Sequence, residues 1–291
     1  MTTPQRVAEN VTGDFYVTTA CIDCGTCRML APDVYTETGK YSAVRHQPQT
    51  SDEVQRSVYA LLACPTAAIR CNNPDLKATI QNAASDFPLH LEGGVYYNGF
   101  TSRHAYGASS YFIQHPDGNW MIDAPRWLPS LVKKYEALGG ISTILLTHQD
   151  DIGDAERYAA HFGAKRIIHE YEKHAQPDAE HILQGREDIQ WHPDFQILFT
   201  PGHTKGHVSL LYKNRFLFSG DHLAWDSERD TFKYYKEFCW YSFDVQKESI
   251  AKLTQHRFAW LLPGHGGQKL LDEADMHRRL TELVAIMKSN N

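Results

Sequence analysis

Cys21-Ile22-Asp23-Cys24-Gly25-Thr26-Cys27 sets three thiols on one short loop, and Cys64-Pro65 adds a fourth 37 residues later. Thiolates spaced this closely can hold three corners of a metal–sulfur cube. The remote cysteine closes the fourth corner, and the proline turns the chain away after it. Four thiolates also suit a structural zinc ion, but zinc loops come as two Cys-x-x-Cys halves, whereas this is a three-plus-one arrangement. The pattern points to one iron–sulfur cluster, and four available ligands favour [4Fe–4S] over [3Fe–4S]. Of the two other cysteines, Cys71 reads as a small buried hydrophobe and Cys239 as a buried, inert thiol.

A second constellation occupies the rest of the chain. Four β-rich runs each end in a small residue followed by His or Asp: Leu145-Leu146-Thr147-His148, Thr200-Pro201-Gly202-His203, Phe218-Ser219-Gly220-Asp221 and Leu261-Leu262-Pro263-Gly264-His265. A strand end fixes a ligand in place, and glycine lets the loop backbone approach an ion. Imidazole plus carboxylate suits zinc, iron or manganese. Most of the 16 histidines must be ordinary residues, and His46, His161, His174, His181, His256 and His277, in polar surroundings, read as surface. His207 and His222 stand next to ligands and read either as core residues or as supports for those ligands. His104 and His169 give a weaker signal.

The cysteine segment resembles the bacterial ferredoxin pattern, with a single set of ligands and hence a single cluster. From residue 88 onward the chain resembles the metallo-β-lactamase superfamily. Thr147-His148, the Pro201-Gly202-His203-Thr204-Lys205-Gly206-His207 run, Gly220-Asp221 and Leu262-Pro263-Gly264-His265-Gly266 stand in that family's order. The resemblance implies an α/β fold: an αββα metallo-β-lactamase sandwich with metal at one edge of its two sheets, preceded by a small α+β ferredoxin-like domain. One motif departs. The family's first motif is His-x-His-x-Asp-His, and here the segment is His148-Gln149-Asp150-Asp151-Ile152-Gly153-Asp154. Its second and third histidines are absent, so one ion rather than two is expected. His148, His203 and Asp221 remain, with His265 and the Asp150/Asp151 pair nearby. Two histidines and a carboxylate with open positions mark a non-haem iron(II) centre. The persulfide dioxygenases of the superfamily have iron ligands at the matching positions. Asp150 reads as a water-positioning base, a fourth ligand or a helix N-cap, and Asp150 and Asp151 are the candidate catalytic carboxylates.

Three functions follow. The first is an iron-dependent redox enzyme in which the cluster passes single electrons to or from the mononuclear site. The second is a thioesterase-like hydrolase, in which a zinc ion lowers the pKa of bound water. The third is a non-catalytic electron carrier or redox sensor. Expected partners are a small-molecule substrate and an electron-transfer protein. The aromatic run Phe232–Phe243 reads either as a wall of the substrate pocket or as ordinary helix packing.

The elements that must position these residues are partly visible. Residues 10–72 read as the cluster domain, 73–87 as a polar linker with one helical turn, and 88–291 as the metal domain. A hairpin is expected from Tyr111–Gln114 and Trp120–Asp123 across an Asp-Gly turn, and a helix over Leu128–Leu138. Strands are expected at 141–146, 166–169, 197–200, 208–212, 216–218 and 258–262, with helices at 154–162 and 273–288. At 291 residues, two domains are expected. A formal net charge of −6 argues against nucleic acid. No apolar run is long enough to span a membrane, and the N-terminus lacks the charged and apolar regions of a secretion signal. Those features and the cluster-type cysteines lead us to expect a cytoplasmic protein.

Overall fold

The structure, a computed structural model, describes residues 3–289. It divides into two compact units. One holds the chain up to Ile144 together with Gly153–Ala164. The other holds Leu145–Ile152 together with the chain from Lys165 onward.

In the first unit, Phe15–Val17 pairs antiparallel with Ile69–Cys71, and Tyr35–Glu37 pairs with Ser42–Val44. The helix Ser51–Ala63 starts with a capping box. Thr50 accepts from the Glu53 N–H, and the Glu53 side chain accepts from the Thr50 N–H, worth about 1 kcal/mol. Phe15, Val17, Val34, Tyr35, Val44 and Val58 form its core with Cys27 and Cys64. Residues 73–87, expected as a linker, contain instead a 3-10 turn, Pro74–Leu76, and a helix, Lys77–Ala83. Leu76, Ile80 and Ala83, at helical spacing, pack on the same core. The cluster domain is therefore not loosely tethered. Thr101 gives both its N–H and its hydroxyl to the Ala63 carbonyl, at 3.1 and 2.8 Å, and Arg126 Nη2 donates to the Leu62 carbonyl at 2.9 Å. The last carbonyls of a helix lack partners within it. Here residues from beyond position 88 supply them, and the arginine adds a cation at the negative end of the helix. The same unit carries an antiparallel meander of Leu89–Glu92, Val95–Tyr97, Tyr111–Ile113 and Trp120–Ile122. The expected hairpin and the helix, at Pro129–Ala137, are both present.

The second unit is built on a six-stranded sheet. Its order is Ile189–His192, Phe195–Phe199, Val208–Tyr212, Phe216–Gly220, Trp260–Pro263 and Lys269–Leu270. Neighbours are antiparallel except Phe216–Gly220 and Trp260–Pro263, which run parallel. The helices Phe243–Leu253 and Glu273–Ser289 bring Ile250, Leu253, Met276 and Leu280 against Leu198, Leu211, Leu217 and Leu261. Val208–Tyr212 and Phe216–Gly220 are buried at every position, as strands covered on both faces must be. Such strands give their ends little freedom, and Asp221 directly follows the C-terminal end of Phe216–Gly220. Among the described residues, no helix is long and apolar enough to cross a membrane.

Candidate metal and cluster sites

Cys21, Cys24, Cys27 and Cys64 line one cavity of the first unit, together with Thr26, Ser42, Thr66 and Ala68. Backbone donors already point at the sulfurs. Asp23 N and Ser42 N approach Cys21 Sγ at 3.3 and 3.4 Å, and Ala68 N approaches Cys64 Sγ at 3.3 Å. The Thr26 hydroxyl lies 3.3 Å from Cys24 Sγ and donates to the Gly107 carbonyl at 3.1 Å. Four convergent thiols, two of them already met by backbone N–H donors, fit an iron–sulfur cluster, whose charge such hydrogen bonds stabilise. Burial pushes the thiols up, Cys24 to about 11 and Cys27 to about 12, so loading a cluster must displace protons. Gly107 closes over this loop at φ +86°, and a Cβ there would meet Cys24 Sγ at 2.7 Å. Cys71 lies half-buried against the core, and Cys239 is half-buried with its Sγ donating to the Gly202 carbonyl at 3.0 Å.

In the second unit the strand ends bring His148, His203 and Asp221 together, with their donor atoms within 4.8 Å of one another. His148 Nε2 and His203 Nε2 each lie 3.7 Å from Asp221 Oδ2. Asp150 Oδ2 faces the same space, 3.5 Å from His203 Nε2 and 3.8 Å from His148 Nε2. It is not a helix cap: the helix Ala155–Phe162 begins after Asp154. A second group consists of Asp151, Asp221 and His265, again within 4.8 Å, with His265 Nε2 at 3.9 Å from Asp151 Oδ1 and 3.8 Å from Asp221 Oδ2. The loss of two histidines led us to expect one ion. The geometry offers two ligand groups sharing Asp221, because Asp151 turns toward His265.

The electrostatics suit cations. Nε2 of His148 and His203, Oδ2 of Asp150 and Oδ1 of Asp221 are buried with no hydrogen-bond partner among the described residues. Buried polar atoms left this way are costly, and a metal ion satisfies them together. Burial lowers His148 to about 4, leaving a neutral imidazole with a lone pair for a metal. Its Nδ1 is held by the Thr147 hydroxyl at 3.0 Å, which aims Nε2 into the site. Burial alone would raise the Asp221 carboxyl, but His265, His148 and His203 hold it below its ordinary value. His207 and His222 lie fully buried behind the ligands, with ring centroids 5.2 Å from His148 to His207 and 5.3 Å from His207 to His222. His207 Nδ1 meets the Thr200 hydroxyl at 3.0 Å, so His207 packs against a candidate ligand rather than joining the ligand groups. His169 is buried under Phe199 and bonded to the Gly185 carbonyl, and His104 is exposed; neither joins a ligand group.

The aromatic run is neither helix nor core over most of its length. Trp240 N and Tyr241 N donate to the His203 carbonyl at 2.8 and 3.1 Å, strapping the run to a candidate ligand. Trp240, Phe238 and Tyr241 stay 62%, 53% and 49% exposed. The Trp240 ring lies 6.4 Å from the His203 ring.

Two family models match the sequence. Residues 17–71 match the 4Fe-4S single cluster domain of Ferredoxin I, and residues 105–280 match the metallo-β-lactamase superfamily. No curated protein matches the chain. Among solved structures, a metallo-β-lactamase family protein from Thermus thermophilus is 19% identical, covering 69% of this chain and 81% of its own, with a TM-score of 0.50. The DIM-1 metallo-β-lactamase is 12% identical, covering 67% of this chain and 95% of its own, also with a TM-score of 0.50. At such identities the likeness speaks for the fold alone. The second family match spans more than half of the chain, and the first spans the four cysteines at the head of it. The protein belongs to the metallo-β-lactamase superfamily, as a mixed α/β metalloprotein of that fold preceded by a small single-cluster iron–sulfur domain.

Proposed function

We propose that the chain is a redox metalloenzyme, with a [4Fe–4S] cluster on Cys21, Cys24, Cys27 and Cys64 exchanging single electrons with iron in the second unit. His148, His203 and Asp221 would hold one iron, and Asp151, Asp221 and His265 a second, with Asp150 facing the first. The donor set carries this reading. His148, His203 and Asp221 form a two-histidine, one-carboxylate set with no thiolate, the donor set of non-haem iron(II) centres. Iron there supplies one-electron chemistry that zinc lacks.

The chain's own residues then have distinct tasks. Thr147 orients His148. Asp150, whose side chain is 41% exposed, is the group placed to position water or a substrate proton at the open side, whereas Asp151 is 1% exposed and suits a ligand. Trp240 and Tyr241 offer a wall for a small-molecule substrate. Asp150 in that position would equally serve a zinc hydrolase as general base, so the metal decides between the two readings. Electron paramagnetic resonance of protein purified without oxygen, before and after one-electron reduction, tests the proposal. Two iron signals are expected, one lost in Cys64→Ser and the other in Asp221→Ala. Zinc in the second unit, with only the cluster signal present, would overturn it in favour of the hydrolase.

A further inference from the structure

The cluster domain carries a cationic cavity on the outer face of its two-stranded sheet. Strand alternation sends Phe15, Val17 and Ile69 into the core, leaving Tyr16 and its cross-strand partner Arg70 outside. Arg6 bridges to Thr18 beside them, and its guanidinium lies 4.0 Å above the Tyr16 ring. Together with Gln5 and Asn72 these residues line a cavity of about 350 Å³ whose lining, among the described residues, has two arginines and no carboxylate. That is a local reversal of charge in a chain of formal net charge −6.

What lies beneath the cavity decides its use. Thr18, in the lining, gives its N–H and its hydroxyl to the Ala68 carbonyl at 2.9 and 3.0 Å, and Ala68 N donates to Cys64 Sγ at 3.3 Å. On its other side, the Thr18 carbonyl accepts from Cys21 N at 3.0 Å. Ala68 alone therefore links the cavity-lining Thr18 to Cys64, and Thr18 itself bonds to Cys21 N. Thr18 is 6% exposed and Cys64 8%, so a small molecule in the cavity has no reacting atom within reach, while an electron needs only this short hydrogen-bonded path.

We propose that this cavity is the docking site of an acidic electron-transfer protein, whose carboxylates pair with Arg6 and Arg70 while one electron passes through the Thr18–Ala68–Cys64 path. The donor loses one electron and the cluster gains it, and no bond is made or broken. The inference rests on the redox reading above only for the direction of use. Charge pairing of this kind governs encounter and is screened by salt.

The test uses the cluster-loaded full chain and an acidic flavodoxin as probe, with binding measured by isothermal titration calorimetry. Arg6→Glu/Arg70→Glu should weaken binding at least tenfold at low ionic strength, and wild-type binding should fade in about 1 M salt, where the screening length is ~3 Å. Arg6→Lys/Arg70→Lys keeps the charge and should retain binding, separating charge loss from a folding defect. Reduced methyl viologen, a small cation, should bleach the cluster equally fast in all forms. Equal flavodoxin affinity in the wild type and the Glu variant would overturn the docking site. So would tight binding of inorganic phosphate at Arg6 and Arg70 without flavodoxin binding, which would make it a small-anion site. Arginine-dependent flavodoxin binding to a cluster that viologen cannot reduce would uphold the docking site and remove the redox reading instead.

Discussion

Gly264→Ala should weaken metal binding in the second unit while leaving the cluster untouched. An ideal Cβ at Gly264 would lie 2.5 Å from Asp151 Oδ2 and 2.6 Å from Asp221 Oδ1, and real Cβ atoms essentially never come within 3.0 Å of a neighbour. The backbone cannot swing away easily, because Gly264 N donates to the Gly220 carbonyl at 2.9 Å, beside Asp221 itself. Gly264 is not among the residues of positive φ, so alanine suits the chain and the displacement falls on the two carboxylates. Each must retreat by roughly 0.4–0.5 Å, the limit of tolerance for a preorganised site. Disturbing ligand orientation costs ~10–100-fold in metal affinity, or about 1.4–2.8 kcal/mol. The ion on Asp151 and His265 should suffer most, and the ion on His148 and His203 should weaken less, through Asp221. Anaerobic calorimetric titration with ferrous iron measures both affinities, with the visible absorption of the cluster and the melting temperature as controls. Wild-type affinity at both groups in Gly264→Ala would refute the placement of Asp151 and Asp221 around this turn.

Cys64→Ser should bleach or shrink the cluster absorption while the second unit keeps its metal, which iron and sulfide analysis of the variant checks. Gly107→Ala should strain a left-handed backbone and press on Cys24 Sγ, costing about 1–3 kcal/mol and speeding cluster loss in air several-fold, read as the decay rate of the visible band. Arg126→Met should uncap the Leu62 carbonyl at the end of the helix Ser51–Ala63 and lower stability by about 1–3 kcal/mol, measured by denaturant unfolding. Metal-free protein should lose stability as pH falls below about 6.5. Burial holds His148 at about 4 and His222 at about 3, so the unfolded chain binds protons there that the folded one refuses. His148 alone corresponds to about 3 kcal/mol at most, lost progressively as pH falls from 6.5 toward 4. A melting temperature flat from pH 7 to pH 4 would contradict that sign.

Much of the metal-binding half was legible because its ligand candidates follow strands. The runs ending in His148, His203, Asp221 and His265 are apolar and β-rich, and each stops at a small residue, so local chemistry announces both strand and turn. The pairing of Asp151 with His265 was not legible. Asp150 and Asp151 are adjacent carboxylates, and spacing alone does not say which of them faces which histidine; that depends on where the chain turns in space. The helix Phe243–Leu253 was missed because the aromatic run before it obscures its start at Ser242. Residues 73–87 read as a linker because their polar residues outnumber Leu76, Ile80 and Ala83, yet those three share one helical face. The capping of the Leu62 and Ala63 carbonyls by Arg126 and Thr101 is a contact across 64 and 38 positions, beyond the reach of any local pattern.

Quantifying iron, zinc and acid-labile sulfide per chain, in protein purified without oxygen, tests the central claim most directly. A [4Fe–4S] cluster together with two irons in the second unit predicts about six iron and about four sulfide per chain, with zinc far below one. The excess of iron over sulfide should vanish in Asp221→Ala, which keeps the cluster. Equal iron and sulfide, with about two zinc per chain removed by Asp221→Ala, would contradict the account and assign the second unit to zinc.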